Sequence, residues 1–308
     1  MNDCLSVYNS RLNAYNKDKL WHYVYIQEEI FRRTLISDIK NNPNTETFDK
    51  MFNEHSQQIQ KDILRLKDLN YYSRTGLKRK KGYLFYGEPG CGKTSTVMAM
   101  ANFDKRHIIE VPLSRVKSNQ ELEDILNLNY PMFEDFNKDE VIILFDEIDC
   151  NNDALSKREN TKTEDKDKKE FDKELVNSIG ELKTLIKEEN STNLAKITFQ
   201  TLDIGTILSR LDGIGNYNGL IIVATTNHKD KLDPAIYREL RLTPIQFDYS
   251  RKEDMINMIE HFYDIKLKDN EKLKIPDRNA KISPAKFRVW LEKYEDNYKD
   301  LLKYLSTV

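Results

Sequence analysis

The sequence predicts an α/β fold in which helices flank a parallel sheet and a small helical domain follows at the C-terminal end. Three observations support this: short apolar runs recur along the middle of the chain, helical patterns separate them, and the pattern becomes helical near residue 250. Short buried strands that alternate with helices form parallel sheets covered on both faces. We predict a short N-terminal segment over 1–46, a core over 47–249 and a helical domain over 250–308.

Strands are predicted where apolar runs of strand length occur. The first covers residues 21–26 (WHYVYI), and the sequence leaves its partner open. Four more are predicted at residues 82–86, 107–113, 141–145 and 220–224. Because the last four alternate with helical patterns, we expect them to lie side by side in one parallel sheet.

Helices are predicted where apolar side chains recur every three or four residues. This spacing indicates helices over 55–69 and 119–128. Near the C-terminus, Ser250 and Glu253 predict a capping box at the start of one helix. Ser283 followed by proline predicts the start of another. We interpret the methionine and aromatic side chains along these two helices as core rather than as a cofactor site.

A charged insertion is predicted over residues 151–196. Residues 157–170 are almost entirely charged or polar, which is typical of a solvated, disordered segment. The residues that follow place apolar side chains on one helical face, which predicts a helix that docks on this chain or on a partner. These side chains are Phe171, Leu175, Ile179, Leu182 and Ile186.

Composition limits the classes of protein that fit. The 308 residues carry a formal net charge of -2, with 39% hydrophobic and 32% charged residues, so a dedicated nucleic-acid binder is disfavoured. The three cysteines lie far apart, which predicts neither a disulfide framework nor a zinc site. No apolar run reaches the ~20 residues of a membrane span, and the N-terminus lacks the apolar core of a secretory signal. We expect a protein of the cytoplasm or another soluble intracellular compartment; a mitochondrial location is not supported.

Residues 87–94 (GEPGCGKT) fit the phosphate-binding pattern GxxxxGK[ST]. The loop follows an apolar strand and precedes a helix, so backbone N–H groups and the positive end of the helix dipole can surround phosphate oxygens. Lys93 is expected to reach the β- and γ-phosphates of ATP, and the Thr94 hydroxyl to bind Mg²⁺. The predicted nucleotide-binding residues are Gly87, Glu88, Pro89, Gly90, Cys91, Gly92, Lys93, Thr94 and Ser95.

Two carboxylates follow the strand at 141–145. Asp146 is expected to hold Mg²⁺ through water, and Glu147 to orient or deprotonate the attacking water. For Asp149 we expect a structural role such as a cap. Asn227 follows the strand at 220–224, where it could hydrogen-bond the γ-phosphate or the water, or simply form a turn.

Two arginines, Arg238 and Arg241, lie three residues apart in the segment LDPAIYRELR, on one side of a helical turn. Surface arginines are usually solvated. With the other three motifs present, they are candidates for arginine fingers, which contribute about 10³–10⁵ in rate as the γ-phosphoryl group leaves.

These four motifs, in this order, resemble the AAA ATPase family. The resemblance implies that Asp146 and Glu147 form the Walker B pair, that Asn227 is the sensor-1 residue, and that Arg238 and Arg241 act on the ATP of the adjacent subunit. It also implies a homo-oligomeric ring, hexameric or heptameric, that acts on a protein client.

Four segments are similar to the subfamily of the mitochondrial cytochrome bc complex assembly chaperone: residues 72–86, 197–213, 225–228 (TTNH) and 283–285. Only about 46 residues precede the similar region and no membrane span is predicted, so we expect a departure from that subfamily's membrane helix and N-terminal domain. The chain also departs from the wider family. Leu240 stands where glycine is usual, residues 112–120 carry no aromatic pore residue, and Arg288 is the nearest candidate for a sensor-2 arginine.

The sequence therefore predicts an enzyme that hydrolyses ATP with Mg²⁺ and remodels or assembles a protein client. Two alternatives stay open. One is a nucleotide-gated interaction module with little turnover. The other is a nucleic-acid-stimulated motor, for which the basic run at 78–81 offers mild support.

Overall fold

The structure is a computed structural model, and it describes residues 19–27, 30–38, 46–149, 217–238 and 241–307. The strands in these ranges are β1 (Lys19–Gln27), β2 (Ile30–Asp38), β3 (Lys81–Gly87), β4 (His107–Glu110), β5 (Val141–Phe145), β6 (Ile221–Thr226) and β7 (Thr243–Phe247). They form one sheet of order β2-β1-β4-β5-β6-β3-β7. Neighbours run parallel except β1 and β2, which form an antiparallel pair.

The predicted strands are all present, and two more appear. β1 finds its partners in β2 and β4, so this N-terminal hairpin extends the sheet of the core. The division of the chain at residues 46 and 249 stays a prediction. β2 was not predicted because most of its side chains are exposed, which removes the apolar pattern. β7 was not predicted because it contains Pro244. Proline is tolerated here because β7 is an edge strand, paired with β3 alone.

The helices are α1 (Ser56–Leu66), α2 (Leu69–Thr75), α3 (Lys93–Asp104), α4 (Asn119–Asn127), α5 (Lys252–Tyr263), α6 (Asp269–Lys272), α7 (Pro284–Lys293) and α8 (Tyr298–Leu305). Single 3₁₀ turns cover Phe48–Lys50, Leu113–Arg115, Pro131–Phe133, Lys138–Glu140, Lys229–Lys231 and Arg278–Ala280. The helix predicted over 55–69 ends at Leu66, because Asp68 caps the next helix by accepting a hydrogen bond from the Tyr71 backbone N–H (2.9 Å).

The capping box at the start of α5 lies one residue later than predicted. Asp254, and not Glu253, accepts a hydrogen bond from the Arg251 backbone N–H (3.0 Å) and pairs with its guanidinium group. The backbone N–H of Ser250 donates instead to the Ile282 carbonyl (2.9 Å), which ties the chain before α5 to the loop before α7. The predicted start of α7 is confirmed, since the Ser283 hydroxyl accepts from the Lys286 N–H (3.3 Å).

Both faces of the sheet are covered by helices. Alternate residues of each strand point to opposite faces, so Tyr83 and Phe85 pack with α1 and α3, whereas Leu84 packs with α4. A third apolar cluster joins α5, α7 and α8, and it contains most of the methionine and aromatic side chains predicted to be core. The prediction is wrong for Phe262 of α5, which is 41% exposed. An α/β sheet protein with a C-terminal helical region is therefore confirmed.

Buried Arg106 aligns the two central strands that lead to the acidic and amide motifs. It is 1% exposed and pairs with the Asp104 carboxylate. Its guanidinium also donates to the carbonyls of Val141 (3.2 Å) and Gly219 (2.7 Å), at the beginnings of β5 and β6. One rigid planar cation thus fixes both strands at one end, and Asp146 and Asn227 lie at the other.

The insertion predicted at 151–196, its apolar helical face and the segment 197–213 lie outside the described residues. Among the residues that are described, no helix has the length and apolar character to cross a bilayer.

Candidate active site

The loop predicted to bind phosphate connects β3 to α3. Gly87 and Gly92 have positive φ angles of 137° and 93°, which glycine adopts without steric cost. At Gly87 a Cβ atom would lie 1.9 Å from the Phe247 carbonyl oxygen, so glycine is also required by the close approach of β7. The loop therefore has the backbone turn that the sequence pattern predicts, with α3 beginning at Lys93.

The Lys93 ammonium group spans the loop. It donates hydrogen bonds to the carbonyls of Gly87 (2.7 Å) and Glu88 (3.1 Å), and to the Asn227 side-chain oxygen (2.7 Å). Partial burial lowers the Lys93 pKa, and nearby groups including the Asp146 and Glu147 carboxylates act in the opposite direction. The cation of the loop, the acidic pair and the amide of β6 thus share one site.

The acidic pair lies in a tight turn after β5 that is attached to β6. The Thr225 hydroxyl donates to Asp146 Oδ1 and accepts from the Glu147 backbone N–H (2.9 Å). The Ile148 N–H donates to the Thr225 carbonyl (2.9 Å). Glu147 has a left-handed φ of 48° and an exposed side chain, whereas Asp146 is half-buried.

Asp149 closes the same turn by accepting a hydrogen bond from the Asn227 backbone N–H (3.3 Å). The structural role expected for Asp149 stays a prediction, because its carboxylate is also close enough to Lys93 to act against the lowering of the Lys93 pKa by burial. Sequence reasoning singled out Asn227 but missed Thr225, which lies between the loop strand and the acidic strand because β6 separates β3 from β5. The sequence feature that could have indicated Thr225 is its position two residues before Asn227.

The structure does not bring Arg238 or Arg241 to this site. Both line a cavity of about 730 Å³ at the opposite end of β3 and β7, beside Lys81, Gly82 and Thr243. Phe247 pairs with Gly87, and Arg241 lies six residues before it, so the separation is about 20 Å at ~3.3 Å per strand residue. The Arg241 guanidinium donates to the Ala235 carbonyl, and the Arg241 backbone N–H donates to the Arg238 carbonyl (3.1 Å).

The C-terminal helical region contacts the loop directly. The Ala285 backbone N–H donates to the Gly90 carbonyl (3.1 Å), and a Cβ atom at Gly90 would lie 3.2 Å from the Ala285 methyl carbon. A second cavity, of about 260 Å³, lies between the loop, residues 50–53 and α7. Arg288 lines it, together with Ser95. Burial raises the pKa of the Cys91 thiol to about 11, so this loop cysteine stays protonated near neutral pH.

Comparison with known proteins gives consistent results. The family model described as "ATPase family associated with various cellular activities (AAA)" matches residues 83–248, more than half of the chain. Three Arabidopsis thaliana proteins are similar. AAA-ATPase At5g40000 is 32% identical over 222 residues, 70% of this chain and 41% of its own length. AAA-ATPase At3g28610 is 29% identical over 254 residues, 81% of this chain and 45% of its own length. AAA-ATPase ASD, mitochondrial, is 31% identical over 233 residues, 74% of this chain and 41% of its own length. The chain thus spans less than half the length of each of these relatives.

Proposed function

This chain belongs to the AAA family of ATPases, and on that premise we propose that it hydrolyses ATP within a homo-oligomeric ring and remodels a protein client. The observation that carries the proposal is the site itself. A phosphate-binding loop, its lysine, two carboxylates and an amide meet at the carboxyl ends of β3, β5 and β6, where parallel sheets bind ligands.

In the proposed reaction, the loop N–H groups and Lys93 hold the triphosphate. The Glu147 carboxylate orients the attacking water and accepts its proton, and the Asn227 amide positions the γ-phosphate or that water. Mg²⁺ would neutralise charge on the β- and γ-phosphate oxygens, held by Thr94 and Asp146. Hydroxyl and carboxylate oxygens are the donors that this ion prefers, and Asp146 lies near enough to Lys93 to affect its pKa.

Completion of the site by a neighbouring subunit is supported by the position of the two arginines. The Arg241 backbone is about 20 Å from the loop of its own chain, and Arg238 lines the same cavity, so neither is placed to contact ATP bound at that loop. Among the described residues that line this cavity, Asp62 is the one acidic residue, and it forms an ion pair with Lys81 (2.7 Å). The cationic residues of this cavity are Arg65, Lys78, Lys80, Lys81, Arg238 and Arg241. Such a surface suits the triphosphate of an adjacent subunit.

Coupling to a client is supported by the contact between Gly90 and Ala285. Because α7 rests on the loop that is proposed to bind phosphate, a change in nucleotide would shift the C-terminal helices relative to the sheet.

Within the family, we propose that this chain belongs to the subfamily of the mitochondrial cytochrome bc complex assembly chaperone. The TTNH segment at 225–228 supports this assignment. The cellular compartment predicted from the sequence stays a prediction. One of the similar Arabidopsis proteins is described as mitochondrial, which is a statement about that protein.

Ring formation is tested by particle mass. With Mg²⁺ and a non-hydrolysable ATP analogue, the purified chain of 36.4 kDa should assemble into hexamers or heptamers, and without nucleotide it should be smaller. Mass photometry or light scattering measures both states. A monomer that is saturated with the analogue would contradict the ring. Steady-state phosphate release, measured alongside, distinguishes the enzyme from a nucleotide-gated interaction module.

A further inference from the structure

One buried side chain of β6 bonds directly to both acidic residues of the turn that carries Asp146 and Glu147. Thr225 is 1% exposed, and its hydroxyl makes two hydrogen bonds to the turn, one to each acidic residue. A hydroxyl group has one donor and two acceptor positions. Here the donor goes to a carboxylate oxygen and an acceptor position takes a backbone N–H, so a single oxygen atom links the two acidic residues.

We propose that Thr225 is a positioning residue for ATP hydrolysis, which rests on the function proposed above. By donating to Asp146 Oδ1, it fixes the rotation of the carboxylate. The other oxygen, Oδ2, would then be available to the Mg²⁺ that Asp146 is proposed to hold. By accepting from the Glu147 N–H, it holds that residue in its left-handed conformation, with the side chain directed outward. Branching at Cβ restricts the χ1 rotation of threonine, so the hydroxyl has one defined position.

The neighbouring threonine provides a matched control. Thr226 is also buried and lies on the same strand, but successive side chains of a strand point to opposite faces. Its hydroxyl accepts a hydrogen bond from the His228 backbone N–H (2.9 Å). Replacing either threonine by valine therefore exchanges one buried hydroxyl for a methyl group of similar size. Only the Thr225 change removes the hydrogen bonds to Asp146 and Glu147.

The test compares Thr225→Val, Thr225→Ser and Thr226→Val in the full chain. Thr225→Val should lower kcat at least about tenfold, since small misplacements of reacting groups can cost up to about 10²-fold. Thr225→Ser keeps the hydroxyl and should stay within about threefold of the wild type. Thr226→Val should have a near-normal kcat.

A binding measurement separates positioning from a general structural role. Affinity for a fluorescent ATP analogue is measured in EDTA and again with Mg²⁺. In EDTA, Thr225→Val should match the wild type, because the loop and Lys93 are unchanged. The gain in affinity on adding Mg²⁺ should be smaller in Thr225→Val than in Thr226→Val, because the Asp146 carboxylate is no longer fixed.

The outcomes are distinguishable. Equal kcat values and equal Mg²⁺ gains for the two valine variants would overturn the role of Thr225 while leaving the ATPase function intact. A wild-type chain that neither binds nor hydrolyses ATP would overturn the proposed function and this inference together. If Thr225→Val does not fold, Thr225→Ala against Thr225→Ser decides, and equal activity of those two would overturn the proposal.

Discussion

Replacing Glu147 with glutamine should reduce phosphate release by about 10²–10⁴-fold while leaving affinity for Mg·ATP within a few-fold of the wild type. The amide has the size of the carboxylate but cannot accept a proton from water. Glu147 projects from the turn with an exposed side chain, and its backbone is held by Thr225, so the substitution should leave the loop and Lys93 undisturbed. Steady-state phosphate release and nucleotide titration measure the two quantities.

Glu134 provides the matched control for this change. It is an exposed glutamate outside the acidic turn, and Glu134→Gln removes the same charge from the chain. Its turnover should be close to that of the wild type. Unchanged turnover in Glu147→Gln would show that another group activates the water.

Replacing Arg238 or Arg241 with alanine should also reduce turnover strongly. For the residue that acts as the main finger, we expect a loss of about 10³-fold or more. The expected signature is the effect on mixtures. Because each variant subunit lacks the group that completes its neighbour's site, adding it to wild-type chains should lower activity more than dilution explains. The wild-type fraction is varied at constant total protein, and phosphate release is measured.

The variant Arg74→Ala serves as the control for the mixing experiment, since Arg74 is exposed and does not line the basic cavity. Its mixtures should retain wild-type activity at every ratio. Activity that falls in strict proportion to the fraction of an arginine-finger variant would show that the subunits work independently, and the trans role of the cavity would be wrong.

Much of the site could be predicted because its motifs are local. The loop at 87–94 and the acidic pair each follow an apolar strand, and the carboxyl ends of parallel strands lie along one edge of a sheet. Their predicted proximity depends only on that rule. The contact between Lys93 and Asn227 follows in the same way, once β6 is adjacent to β3.

The parts that could not be predicted depend on strand order or on weak local patterns. The role of Thr225 requires β6 to lie between β3 and β5, which no spacing in the sequence indicates. The exposed strand β2 lacks an apolar alternation, and the basic cavity combines residues from α1, the loop before β3 and the turn before β7. The capping box of α5 lies one residue later than predicted, because Asp254 both caps the helix and pairs with the Arg251 side chain.

The central claim is that the 87–94 loop and Lys93 bind the triphosphate of ATP. Isothermal titration of Mg·ATP into the purified, folded chain tests this most directly, with Lys93→Ala measured in parallel. We expect saturable binding of one nucleotide per chain, and an affinity for Lys93→Ala at least about tenfold lower, because the loop then lacks the cation that reaches the β- and γ-phosphates. A folded wild-type chain with no measurable heat of binding, or a Lys93→Ala variant that binds as tightly as the wild type, would contradict the account.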